Sequence, residues 1–224
     1  MCSPDRVDPD TIALLTAGAA LVVVLLPATW YPARGVITIV HEAGHALVAL
    51  LAGRRLRGIR LHSDTSGLTL SKGRPDGPGM VCTALAGYPA PSLLGLGFAA
   101  LLAAGVTNGP LVVSAVLLAG VLIMVRNLYG VLSVLVTGAV LLGVSYLTTD
   151  EVQAGFAQLI TWFLLFGGLR PVGELQGKRR RGRAPYSDAD QLARLTGAPG
   201  FFWVGSFVLI GAGSLVLAGG WLLV

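Results

Sequence analysis

The sequence predicts an all-α polytopic membrane protein of about seven transmembrane helices, with a small cytoplasmic β-hairpin after the second. Three observations carry this reading. Hydrophobic residues make up 54% of the 224 and charged residues only 12%, where a soluble domain carries about a quarter charged residues. The charges are also segregated: no Asp, Glu, Lys or Arg occurs from Thr11 to Ala33, Gly77 to Val125, Asn127 to Thr149, or Leu195 to the end. A span needs about 20 apolar residues, so these runs read as lipid-spanning helices. The 31 glycines suit helices that pack closely through small side chains.

The predicted spans, in order, are 11–30, 35–53, 80–104, 110–125, 128–147, 152–169 and 201–224, within one membrane domain of residues 1–224. The N-terminal segment MCSPDRVDPD lacks the basic start of a cleaved signal peptide, so the first run is a retained helix. AGYPAP at Ala86–Pro91 should kink or delay the third span, because proline breaks the helical ladder. Only Arg126 and Asn127 separate the fourth and fifth spans, which makes them a tight helical hairpin or one long broken element. Asn127 could hydrogen-bond a substrate backbone there, or end a helix.

Positive charge follows the inner side of a membrane. With the N-terminus inside, the inner segments 1–10, 54–79, 126–127 and 170–200 hold 15 of the 16 Lys and Arg, leaving Arg34 outside. Seven alternating spans therefore predict a cytoplasmic N-terminus and an external C-terminus. The net charge of +5 is explained by this topology and calls for no nucleic acid. Cys2 and Cys82 suggest neither a disulfide framework nor a cysteine-based metal site.

Two inner segments have a pattern of their own. In LRGIRLHSDTSGLTLSK (Leu56–Lys72), apolar and polar residues alternate on both sides of SDTSG, which predicts a β-hairpin. It serves either as a basic surface hairpin or as an edge strand that binds an extended peptide by β-augmentation. The run KRRRGR (Lys178–Arg183) predicts contact with anionic membrane lipids, or simply anchors the topology. After it, Ser187 and Asp190 form a capping box with Asp in the third position. Gly197 and Pro199 close the resulting short helix before the last span.

The second span contains HEAGH, His41–His45. Residues i and i+4 share one helix face, so two imidazoles can reach one metal ion. Glu42, beside the first imidazole, can take a proton from metal-bound water. Ionisable side chains inside a lipid-spanning helix are costly and mark functional sites. Packing histidines alone would leave three such groups within five residues unexplained.

HEAGH, the basic hairpin after it, AGYPAP and YSDADQLARLTG before the last span together resemble the site-2 proteases, intramembrane zinc metallopeptidases. The likeness is to a compact bacterial branch without a PDZ domain. It implies a multi-pass protein of the cell membrane that cleaves transmembrane protein substrates, with Zn2+ held by two His and one Asp. It further implies a membrane-associated β-structure presenting the substrate, and a zinc helix running from outside to inside. The family's Leu-Asp-Gly motif is missing, and the other spans contain no acidic residue. Candidates for the third ligand are His62, Asp64, Asp76, Glu174, Asp188 and Asp190. SDADQL can be laid over the family motif with Asp188 at its Asp, and Asp190 is the fallback. The rival reading is a non-proteolytic zinc-binding membrane scaffold or assembly subunit derived from this family.

Overall fold

Proline and glycine divide the apolar runs into helices in the computed structural model, which describes residues 9–223. Residues 1–8, including Cys2 and Arg6, lie outside the described part. Helix α1 spans Pro9–Leu25 and α2 spans Pro27–Leu51. Between them Leu26 is extended, at φ −79° and ψ 125°, because a residue before proline avoids the helical region. Pro27 then opens α2, where its missing N–H costs nothing. The first break thus lies at Leu26: residues 27–30 belong to α2 and not to the first predicted span, and residues 31–34 continue α2 where a loop was predicted.

The hairpin consists of β1 (Arg55–Leu61) and β2 (Gly67–Lys72), paired antiparallel with a bulge between Leu56 and Gly58. It lies between α2 and α3 (Pro78–Leu85). α3 meets α4 (Pro89–Ala103) at a bend of 70°, which the AGYPAP prolines enforce. Helices α5 (Gly109–Met124) and α6 (Leu128–Leu147) follow. α7 runs unbroken from Asp150 to Arg180, past the predicted end at 169 and through Pro171. At 1.5 Å per residue it is about 46 Å long, so its basic end projects beyond the bilayer core of about 30 Å. α8 (Asp188–Thr196) is capped by Ser187, whose hydroxyl accepts from the Asp190 N–H, and ends on left-handed Gly197 at φ 77°. α9 is Gly200–Leu222.

Among the described residues, α2, α6, α7 and α9 are long and apolar enough to cross a membrane, and the bent α3–α4 pair makes a fifth. The apolar stretches of α1 and α5 are shorter. This is a multi-pass membrane protein, in which seven full-length spans are not distinguished.

The packing of α1 against α7 does not fit seven alternating spans. Arg34 pairs with Glu174 at 3.1 Å, although the seven-span partition puts them on opposite faces of the membrane. Trp30 Nε1 also donates to Glu174, 3.1 Å away. Thr16 of α1 contacts Gln158, while the carbonyl of Val24, further along α1, accepts from Arg170. α1 and α7 therefore run parallel, whereas alternation through seven spans makes them antiparallel. Seven full alternating crossings do not fit these contacts.

Candidate metal centre

Helix periodicity puts His41 and His45 on one face of α2, and the chain after α7 brings Asp188, the first residue of α8, against them. Their Nε2 atoms are 3.1 Å apart. Asp188 Oδ2 lies 3.3 Å from the first and 3.2 Å from the second. Ligands on a tetrahedral zinc at about 2.0–2.1 Å are separated by about 3.3–3.4 Å, so this near-equilateral triangle matches one face of such a site. Asp188 Oδ2 is buried, and despite its two close nitrogens it has no aligned hydrogen bond. Close distances without alignment are what three lone pairs directed at a common point produce. The donor set, two imidazoles and a carboxylate, also suits zinc.

The backbone around the site fixes it. His45 Nδ1 is 2.7 Å from the carbonyl of Thr83. A carbonyl only accepts, so the proton lies on Nδ1 and Nε2 is free to ligate. His41 packs edge-on against Tyr88, with ring centroids 4.8 Å apart, and Tyr88 stacks on Phe207 of α9. Gly87 has no room for a side chain: a Cβ there would collide with the Nε2 atoms of both histidines. Burial by itself raises the Asp188 carboxyl pKa, but the His45 and His41 imidazoles, when protonated, outweigh it and hold the group below the usual carboxylate range.

Glu42 is 3% exposed and lies under the hairpin. Thr69 Oγ1 donates to its Oε2 at 2.6 Å, and the Gly67 backbone lies directly against the carboxylate. The hairpin is itself tied down along β1. Arg126 N–H donates to the Ile59 carbonyl, and the Asn127 side chain brackets Leu61, accepting from its N–H and donating to its carbonyl. The Asn127 amide is engaged by β1, and the residue stands at a helix end, as the N-cap of α6.

The other third-ligand candidates are engaged elsewhere. Asp190 pairs with Arg179 at 2.7 Å and accepts from Ser187 Oγ. Glu174 is held by Arg34, Arg170 and Trp30. Asp64 accepts from Ser66 in the hairpin turn, where His62 also contacts Ser66, and Asp76 faces Arg74.

With this geometry in hand, one comparison decides the family. A profile of the Peptidase M50B-like proteins matches residues 14–218. The chain belongs to the Peptidase M50B-like family, the site-2 protease family. No curated protein and no solved structure matches it. Family members are zinc-dependent in general, in keeping with the donor set found here. Thr69, Gly67, Thr83, Gly87 and Tyr88 were not singled out from the sequence. Gly87 and Tyr88 lie inside AGYPAP, where two prolines beside small residues hint at a close backbone approach. Nothing in the local pattern marks Thr69 or Thr83.

Proposed function

We propose that this M50B-like protein is a zinc endopeptidase that cleaves transmembrane protein substrates, with His41, His45 and Asp188 as metal ligands and Glu42 as general base. The buried, convergent Asp188 Oδ2 is the observation that carries this reading. Bound zinc would supply an acidified water and polarise the scissile carbonyl. Glu42 takes the proton from the attacking water and returns it to the leaving amine. Thr69 holds one carboxylate oxygen of Glu42, so the group is oriented before substrate arrives.

A substrate helix has to unwind, because its carbonyls are otherwise hydrogen-bonded. β1 is bonded on one edge to β2 and on the other to Arg126 and Asn127. The outer edge of β2 is the one left for an added strand, and β2 carries the two residues that touch Glu42. An apolar cavity of about 820 Å³, lined by Ala43, Gly44, Leu47, Leu93 and Leu117 among others, flanks the histidine helix and suits an apolar segment.

For orientation, the parallel α1 and α7 require an odd number of crossings between them. Of α2, the bent α3–α4 pair, α5 and α6, we assign α2 as the element that does not cross, although its 25 residues are long and apolar enough to do so and against the expectation that the zinc helix runs from outside to inside. It begins at the Glu174 end of α7. It leads into the hairpin, which is bonded to the α5–α6 junction at Val125–Asn127. That junction lies one 20-residue helix, about 30 Å, from the Asp150 end of α7. Arg34, the hairpin, Arg126 and the α7–α9 connection then share the inner side. They again hold 15 of the 16 Lys and Arg. The crossings then number six, with the start of α1 and the end of α9 on the outer side.

The test of the activity is cleavage of a single-span membrane reporter in proteoliposomes by wild type and by Glu42→Gln. Cleavage abolished by Glu42→Gln and by a zinc chelator supports the peptidase. Bound zinc without any cleavage across a panel of reporters would favour the scaffold reading.

A further inference from the structure

On the face of the bundle where α1 turns into α2, a cavity of about 480 Å³ is lined by Arg34, Arg170, Lys178 and Arg181, with Glu174 and the rings of Trp30 and Tyr31. We propose that this cavity binds the phosphate of an anionic membrane lipid. Four cations face a single carboxylate, and Glu174 is already shared by Arg34 and Arg170 at 3.1 and 3.3 Å. Lys178 and Arg181 have no side-chain partner among the described residues, so two cationic groups remain for a ligand. Arg170 also stacks over the Trp30 ring, 4.8 Å from its centroid. That contact and the Val24 carbonyl fix its guanidinium at the wall of the cavity.

The depth of the site argues for a lipid source. Arg170 lies 20 residues beyond Asp150 on one helix, about 30 Å along it, which is the thickness of the hydrocarbon core. Trp and Tyr beside Lys and Arg mark the headgroup layer. Tyr31 is 57% exposed at the rim, where a glycerol backbone would pass. The neighbouring cations are disposed differently: Arg179 is committed to Asp190, and Arg180 and Arg183 do not line the cavity. The site is therefore more specific than attraction to the basic run as a whole.

The experiment is a thermal-unfolding titration of the full chain in neutral detergent, since a ligand that binds the folded state raises its midpoint. The probes are dioctanoyl phosphatidylglycerol, dioctanoyl phosphatidylcholine and inorganic phosphate. Phosphatidylglycerol should give a saturable rise and phosphatidylcholine should not. The pair Lys178→Gln with Arg181→Gln should weaken that effect by about tenfold or more. The equally charged pair Arg180→Gln with Arg183→Gln should change it about twofold or less. Neither pair removes an ion pair seen in the structure, so both variants should fold. Protection by inorganic phosphate at equal concentration would keep the phosphate site and assign it to a soluble source. An equal loss in both double variants, or no saturable rise with any probe, would overturn the proposal.

Discussion

The Thr69 hydroxyl donates to Glu42 Oε2 at 2.6 Å, joining the hairpin to the helix that carries HEAGH. A hydrogen bond to a charged group contributes about 1.5–3 kcal/mol. Thr69→Val should therefore cut peptidase kcat by about 10- to 100-fold while zinc content stays unchanged. Thr69→Ser should restore most of the rate. Unchanged kcat in Thr69→Val would mean that the bond does not orient Glu42 for reaction.

Gly67 tests the same contact from the backbone side. A Cβ at this position would meet the Glu42 carboxylate. Gly67→Ala should displace that group and lower the rate by at least about tenfold, with zinc retained and the hairpin intact by circular dichroism. A fully active Gly67→Ala variant would show that the carboxylate works from another position.

The two neighbouring aspartates should separate cleanly. Asp190→Asn removes a helix-capping partner and the Arg179 ion pair, costing about 1 kcal/mol of stability but leaving zinc bound. Asp188→Asn should lose both zinc and cleavage, because an anionic ligand is gone. Metal analysis after gel filtration distinguishes them, and the reverse pattern would make Asp190 the ligand.

Sidedness can be read by labelling single cysteines, with Cys2 and Cys82 replaced by Ser, using an impermeant reagent on intact cells. Tyr31→Cys, Lys72→Cys and Arg180→Cys should all be protected, and Thr149→Cys should react. Reaction at Tyr31, with Thr149 reacting as well, would restore the outward placement of Arg34 in the seven-span alternation and contradict the six-crossing arrangement.

Much of the site was legible because its patterns are local. HEAGH declares itself by i, i+4 spacing, the hairpin by alternation around SDTSG, and α8 by the Ser187–Asp190 cap. Membrane sidedness is not legible from charge alone, because the proposed arrangement keeps the same 15-to-1 partition of Lys and Arg as the seven-span one. The contact between distant segments, Arg34 with Glu174, is what favours the proposed arrangement. The first helix break was readable in principle from Pro27, but the charge-free run continued through it and masked it. Thr69, Gly67 and Thr83 support HEAGH from segments remote in sequence, and such packing leaves no periodic trace.

The central claim is that His41, His45 and Asp188 hold one catalytic zinc ion beside Glu42. Metal content of the purified chain, measured together with reporter cleavage in wild type, His45→Ala and Glu42→Gln, tests it most directly. The account predicts about one zinc per chain in wild type and Glu42→Gln, none in His45→Ala, and cleavage by wild type alone. Full zinc occupancy in His45→Ala, or undiminished cleavage by Glu42→Gln, would contradict it.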